Sequence, residues 1–282
     1  FRRCSYVLVP LSVVIIKYYP YMGKLYHPWT GEPEFVGVAT SKNMFGLLCL
    51  LCCLYLLWDF LTIYRGKQLS DKKSKILINV LLFFMTVWLT IKANSATTFM
   101  CIIIGICIFV GLSLIQKHIT YITIYVFSIA FVLLIFDLSF DVVKVATAKL
   151  GRDMSFTGRT DLWKEVLLMD SNPMIGVGYH SFWLGDRLSQ FWGNYWWRPN
   201  QAHNGYLETY LNLGLIGLSL LMAIIVSTYR KVHQTLLLDF DYGRLRMAFL
   251  LIALLYNIME ATFRGMNLIW FVFLLIAIEV PN

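Results

Sequence analysis

The stretch 202–228, AHNGYLETYLNLGLIGLSLLMAIIVST, passes within seven residues from an imidazole and a carboxylate, His203 and Glu208, into an apolar run with no further charge. The hydrocarbon core of a bilayer takes about 20 such residues as a helix. The stretch therefore reads as a transmembrane helix with a polar mouth. The rest of the chain has the same character: of 282 residues 59% are hydrophobic and only 14% charged, with a mean hydropathy of +0.66. No single soluble core of this size buries so much apolar surface.

The length criterion gives further spans at about 4–19, 44–64, 76–91, 98–115, 121–138, 247–263 and 267–281. Open sheet is excluded within them, because unpaired backbone groups cannot be left in hydrocarbon. The expected fold is all-α: a polytopic transmembrane helix bundle, 1–282, with one large outer loop that contains short amphipathic helices. The chain begins at Phe1, and FRRCSYVLVPLSVVII runs from basic residues straight into a span. It reads as a single membrane domain lacking the amino-terminal spans of a longer protein. A signal peptide would need a small-residue cleavage site before KYYPYMGKLYHP, where none stands.

Lys and Arg in short connections mark the cytoplasmic side. Arg2, Arg3, the RGKQLSDKKSK connection, Lys117, Arg230, Lys231, Arg244 and Arg246 fall there, while Lys24, Lys42, Lys92 and Arg264 fall outside. The segment 139–205 is then the large extracytoplasmic loop. The net charge of +8 is dispersed among loops and forms no stripe, which argues against nucleic acid. The six cysteines lie inside apolar runs without metal-ligand spacing and read as small hydrophobes.

Within the outer loop, SFTGRTDLWKEVLLMDSNP (155–173) has helix punctuation and an apolar face of Leu162, Trp163, Val166, Leu167 and Met169, suited to lying along the membrane surface. Arg159 falls in its first turn. A guanidinium beside free backbone amides suits phosphate; pairing with Asp161 or with lipid head groups is the structural alternative. Trp183, Trp192, Trp196 and Trp197, with Arg187 and Arg198, fit either an interfacial belt or a platform for sugar faces and an isoprenoid chain. His203 can take a proton from a hydroxyl, or serve merely as an interfacial or capping residue. His180 and His203 are joined by no ligand pattern, so no metal site is expected. Glu260 and Arg264 are rim charges, either functional or paired with each other.

Taken together, TGRTDLWKEVLLMDSNPMIGVGYHSFW (157–183) followed by AHNGYLETYLNLGLIGLSLL (202–221) resembles the signature region of the O-antigen ligase and O-antigen polymerase superfamily. GVATSKNMFG (37–46) and ANSATTFM (93–100) resemble two helix starts of the same family, so the likeness runs from about Gly37 to Arg264. The resemblance implies a metal-independent, cofactor-free glycosyltransferase of a bacterial cytoplasmic membrane, with its site on the periplasmic face. The implied donor is an undecaprenyl diphosphate-linked glycan. The implied acceptor is the hydroxyl of another glycan, for a polymerase of O-antigen, capsule or exopolysaccharide, or lipid A-core, for a ligase. Membrane lipids and a polysaccharide chain-length regulator are the other implied partners.

The family's essential Arg and His match Arg159 and His203. Arg198, Lys92 and Arg264 are candidates to neutralise the diphosphate, Asn204 and Glu208 to orient His203, and Asn43 and Ser95 to bind substrate from the two helix-start motifs. Ligases often carry Ser-Arg where this chain has Ser95-Ala96, which favours a polymerase. A lipid-linked glycan transporter would instead carry charge inside its spans, near the midplane. A cell-wall glycan polymerase of the shape-and-division type matches the Arg and His motifs less well.

Overall fold

The structure is a computed structural model that describes residues 1–26, 31–65, 72–122, 156–169, 171–195 and 198–278; side chains of 156–160 and of Asn194 are outside that description. Helices account for nearly all of the secondary structure. They are α1 (Arg2–Tyr18), α2 (Pro20–Gly23), α3 (Lys42–Arg65), α4 (Lys72–Ala93), α5 (Ala96–Leu114), α6 (Phe156–Leu168), α7 (Gly185–Asn194), α8 (Gly205–Leu238), α9 (Phe240–Met259) and α10 (Leu268–Ala277). Among the described residues five of them, α3, α4, α5, α8 and α9, are long and apolar enough to cross a membrane. The chain is an all-α integral membrane protein. Most of the expected span 121–138 lies outside the described residues.

The structure redraws several expected boundaries. Helix α1 has 17 residues and α10 only ten, both short for a full crossing. Helix α8 has 34 residues but is broken at Gly214, and the part beyond the break, 215–238, is about 36 Å long at 1.5 Å per residue, enough by itself for a hydrocarbon core of about 30 Å. Its first turns thus form a mouth rather than a buried span. Helix α9 starts seven residues before the expected 247, which brings Arg244 and Arg246 inside a helix instead of into a loop. Both are buried there because each finds partners: Arg244 Nη2 lies 2.7 Å from Asp241 Oδ1, and Arg246 donates to Thr235 Oγ1 and the Ile276 carbonyl. Hydropathy excludes such residues from a span; partners for part of each guanidinium offset the cost here, although Arg244 Nε and Arg246 Nε are buried without a hydrogen bond.

The chain divides into two compact units. The first comprises Phe1–Ser113, Tyr229–Tyr256 and Gly265–Asn282. Helix α3 is a largely buried span and packs as a hairpin with α4, with α1 against both. Phe45, Cys49, Cys52 and Leu56 of α3 meet Leu82, Leu89 and Ala93 of α4 and Val9 and Ile16 of α1. The cysteines serve here as small apolar side chains, and all six are free. Gly46 lets α3 approach the start of α5, since a Cβ there would lie 2.5 Å from Thr98 Oγ1. Towards the expected cytoplasmic ends, the buried Asp59 carboxylate accepts from Arg2 and, at 2.8 Å, from Asn79 Nδ2. Between α2 and α3 a hairpin of β1 (Lys24–Tyr26) and β2 (Pro33–Phe35) pairs Lys24 with Phe35.

The second unit comprises Leu114–Thr228 and Asn257–Arg264. Its core is Leu162, Val166, Phe182, Trp183, Phe191, Ala202 and Leu211. The apolar face of α6 is therefore docked on protein, with Leu162 and Val166 fully buried, rather than laid on the membrane surface as expected. Only Leu167 of that expected face is strongly exposed, at 56%.

Candidate functional site

The polar mouth of α8 is built by an interlock that explains two glycine-bearing motifs at once. At Gly214 the helix is interrupted, with φ 63° and ψ −162°, a conformation open essentially to glycine. The turn Asn172–Gly178 fits into that break. Val177 N and Gly178 N donate to the carbonyls of Leu211 (3.3 Å) and Asn212 (2.9 Å), while Leu215 N and Ile216 N donate to those of Pro173 (2.9 Å) and Met174 (3.0 Å). The backbones touch: a Cβ on Gly176 would sit 2.4 Å from the Asn212 carbonyl carbon, and one on Gly214 2.3 Å from that of Met174.

Above the break, Glu208 and Asn212 tie the loop to the helix. The Glu208 carboxylate accepts from Trp183 Nε1 (2.8 Å), Ala202 N (2.9 Å) and Asn212 Nδ2 (3.2 Å), and Asn212 Oδ1 accepts from Ser181 N (3.1 Å) and Phe182 N (3.4 Å). Trp163 of α6 donates to the Ala202 carbonyl at 2.7 Å. Asn204 caps α8, its Oδ1 accepting from Tyr206 N and Leu207 N at 3.0 Å each. His203, between these fixed points, is held at φ 52°. The restrained backbone on either side aims the imidazole.

What the imidazole meets is Glu260. Helices α8 and α9 are separated only by Asp239, and the start of α8 lies against the end of α9 where Gly205 meets Asn257. Buried Asn257 joins them: its Oδ1 accepts from Thr262 N (2.9 Å) and Phe263 N (3.0 Å), and Gly205 packs so closely that a Cβ would lie 2.0 Å from that oxygen. His203 Nδ1 lies 3.3 Å from Glu260 Oε2 and 3.4 Å from Gln201 Nε2, with side-chain exposures of 21% for His203 and 11% for Glu260. A carboxylate only accepts and an amide nitrogen only donates, so the Glu260 contact is a hydrogen bond when Nδ1 carries the hydrogen and the Gln201 contact is one when it does not.

The expected site residues divide as follows. His203, Asn204 and Glu208 come together, but the carboxylate at His203 Nδ1 is that of Glu260. Glu208 and Asn204, expected to orient the imidazole, hold the loop and cap the helix. Glu260 was legible only as a costly rim charge; nothing in its spacing from His203 signals the pairing. Arg159 lies in the first turn of α6, and its side chain is outside the described residues. Arg198, at φ 48° and exposed, stacks its guanidinium 5.5 Å over the Trp192 ring. Arg264 is half-buried in the same unit, its amide donating to the Thr262 carbonyl at 2.8 Å.

Trp183 is a core residue rather than part of a platform, whereas Trp192 is exposed; Trp196 and Trp197 lie outside the described residues. Tyr195, packed on the core beside Glu165, has its phenol pushed up by burial and by that carboxylate. Lys92, Ser95 and Asn43 belong to the first unit. Lys92 lies over the Phe35 and Trp88 rings, Ser95 Oγ accepts from Thr98 N at 3.4 Å at the start of α5, and Asn43 is exposed in the first turn of α3. Among the described residues no three His, Cys, Asp or Glu side chains form a group that could hold a metal ion.

The O-antigen ligase family model matches residues 77–222, slightly more than half of the chain. The chain belongs to the O-antigen ligase family. It is also 25% identical over 221 residues to the exopolysaccharide production protein ExoQ of Rhizobium meliloti (strain 1021). That alignment covers 72% of this chain and 48% of ExoQ, so the chain spans about half the length of the relative it matches. The matched family region contains the Gly176–Gly214 interlock and His203, while Glu260 falls beyond it.

Replacing Asn257 by alanine removes the acceptor of two backbone amides, each worth about 1–3 kcal/mol when left unsatisfied in a buried place. The expected outcome is a lower unfolding temperature in detergent, while Asn43→Ala, at an exposed position, leaves the unfolding temperature unchanged.

Proposed function

We propose that this O-antigen ligase family member is a lipid-linked glycan polymerase of the bacterial cytoplasmic membrane, acting on its periplasmic face. The observation that carries the reading is the His203–Glu260 pair at the mouth of α8, a proton acceptor held by a carboxylate where a transmembrane helix begins. The donor in this reading is a glycan on undecaprenyl diphosphate, and the acceptor is a sugar hydroxyl of a second lipid-linked repeat.

In the transfer, the acceptor hydroxyl gives its proton to His203 Nε2 as its oxygen bonds to the anomeric carbon of the donor. The bond from that carbon to the diphosphate oxygen breaks, and the electron pair leaves with the lipid diphosphate. Glu260 stabilises the imidazolium that forms, as a carboxylate beside a histidine base does in other enzymes. Arg159 has the role of holding the leaving diphosphate, whose developing charge a guanidinium neutralises in bidentate fashion. Arg198 and Arg264 are further candidates for that charge.

Polymerase is favoured over ligase by Ser95-Ala96, where ligases often carry Ser-Arg, and by the name of the relative, an exopolysaccharide production protein. The test is made in cells. Arg159→Ala and His203→Asn are each expected to remove long-chain polysaccharide at normal protein levels, leaving single repeats. Wild-type chain lengths in both variants would overturn the reading, and full-length polymer that is merely unattached in the deletion strain would make the protein a ligase.

A further inference from the structure

The 172–178 turn that fills the break in α8 has two properties that a loop in water does not need. Its amides all find acceptors within the protein. Met174 N and Ile175 N donate to Asn172 Oδ1 (2.9 and 3.3 Å), Gly176 N donates to the Asn172 carbonyl (2.8 Å), and Val177 N and Gly178 N donate to α8, while Pro173 has no amide hydrogen. The tip of the turn also carries its apolar side chains outward, with Met174 52% and Ile175 60% exposed. Leu215 and Ile216, whose amides donate to the carbonyls of Pro173 and Met174, are exposed beside them, and the apolar surface continues along α8 to Leu220.

The length of α8 sets the level of this surface. Although 215–238 is long enough to fill a hydrocarbon core, Arg230, which is exposed, and Lys231 keep its last turns at the rim. The charge-free part, 215–229, rises about 22 Å at 1.5 Å per residue, less than the core of about 30 Å, and any tilt shortens its reach. The rest of the core therefore lies on the mouth side of Leu215, at the level of the break and of the turn docked in it. Backbone that is not helical is tolerated at that depth only where the protein itself satisfies it, as it does for the amides of this turn.

We infer that the 172–178 turn is inserted in the hydrocarbon of the leaflet at the mouth of α8, with Pro173, Met174 and Ile175 against phospholipid acyl chains. It thereby fixes the depth of the loop that follows, which Asn212 and Glu208 tie to α8. The inference uses no chemistry of His203 and stands whether or not His203 is a base.

The test is made on the full chain carrying Cys4→Ala and Cys107→Ala, which removes the exposed thiols and leaves the buried ones. One new cysteine at a time, Met174→Cys, Ile175→Cys, Gln190→Cys or Leu220→Cys, is spin-labelled in vesicles of phosphatidylethanolamine and phosphatidylglycerol. Gln190 is an exposed polar reference on α7 and Leu220 an exposed apolar reference on α8. Collision with oxygen relative to a water-soluble nickel chelate is read on variants whose unfolding temperature matches that of the parent. The ratio is expected to be about tenfold higher at 174 and 175 than at 190, and within about threefold of that at 220. A ratio at 174 and 175 equal to that at 190 would place the turn in water, and weak collision with both reagents would place it against protein; either result overturns the inference.

Discussion

Replacement of His203 by asparagine is expected to lower glycan transfer by about three orders of magnitude, within the range for loss of a positioned general base. Asparagine is the informative substitution because position 203 has φ 52°, which asparagine tolerates better than most residues. The amide also cannot take up a proton near neutral pH. The network around the position, from Trp183 through Glu208 to Ala202, does not involve the imidazole, so insertion and unfolding temperature should be close to wild type. Transfer rate with a purified lipid-linked donor is the measurement; a loss below about threefold would mean that the imidazole is not the base.

The second large effect is on folding. Gly214→Val adds a branched side chain where φ and ψ admit essentially glycine and where the first added carbon already lies 2.3 Å from the Met174 carbonyl carbon. The backbone strain alone is about 1–3 kcal/mol, and the clash can be relieved only by withdrawing the 172–178 turn and its four hydrogen bonds from α8. The expected result is loss of most folded protein from the membrane fraction and rapid proteolysis around the 172–178 turn. Gly111→Ala is the control: it is helical, nothing lies near its added carbon, and it should be neutral or slightly stabilising. Comparable protease resistance of Gly214→Val and wild type would contradict the interlock.

The two substitutions mark how differently the chain discloses its parts. Apolar runs of membrane length predicted α3, α4 and α5 to within a few residues, because a lipid environment leaves a helix as the way to satisfy the backbone. They misplaced the start of α9, since hydropathy treats Arg244 and Arg246 as loop residues while inside the helix Arg244 pairs with Asp241 and Arg246 donates to Thr235 and the Ile276 carbonyl. The family resemblance pointed to His203 and its neighbourhood, but not to what each neighbour does. Glu208, close in sequence, is committed to Trp183 and the Ala202 amide. Glu260, 57 residues away, reaches the imidazole because the α8–α9 hairpin and Asn257 bring it back. A contact made by tertiary return leaves no periodicity to read. The glycines of PMIGVG and of NLGLIG were visible as motifs, yet their shared purpose emerges only from their meeting.

The claim that His203 and Glu260 act as one unit is tested most directly by a double-mutant cycle on transfer rate, with donor saturating. Glu260→Gln alone is predicted to slow transfer about 10- to 100-fold, and to cause no further slowing in the His203→Asn background, because residues that act together lose their joint effect once. Equal slowing by Glu260→Gln in both backgrounds, or none in the wild type, would contradict the account.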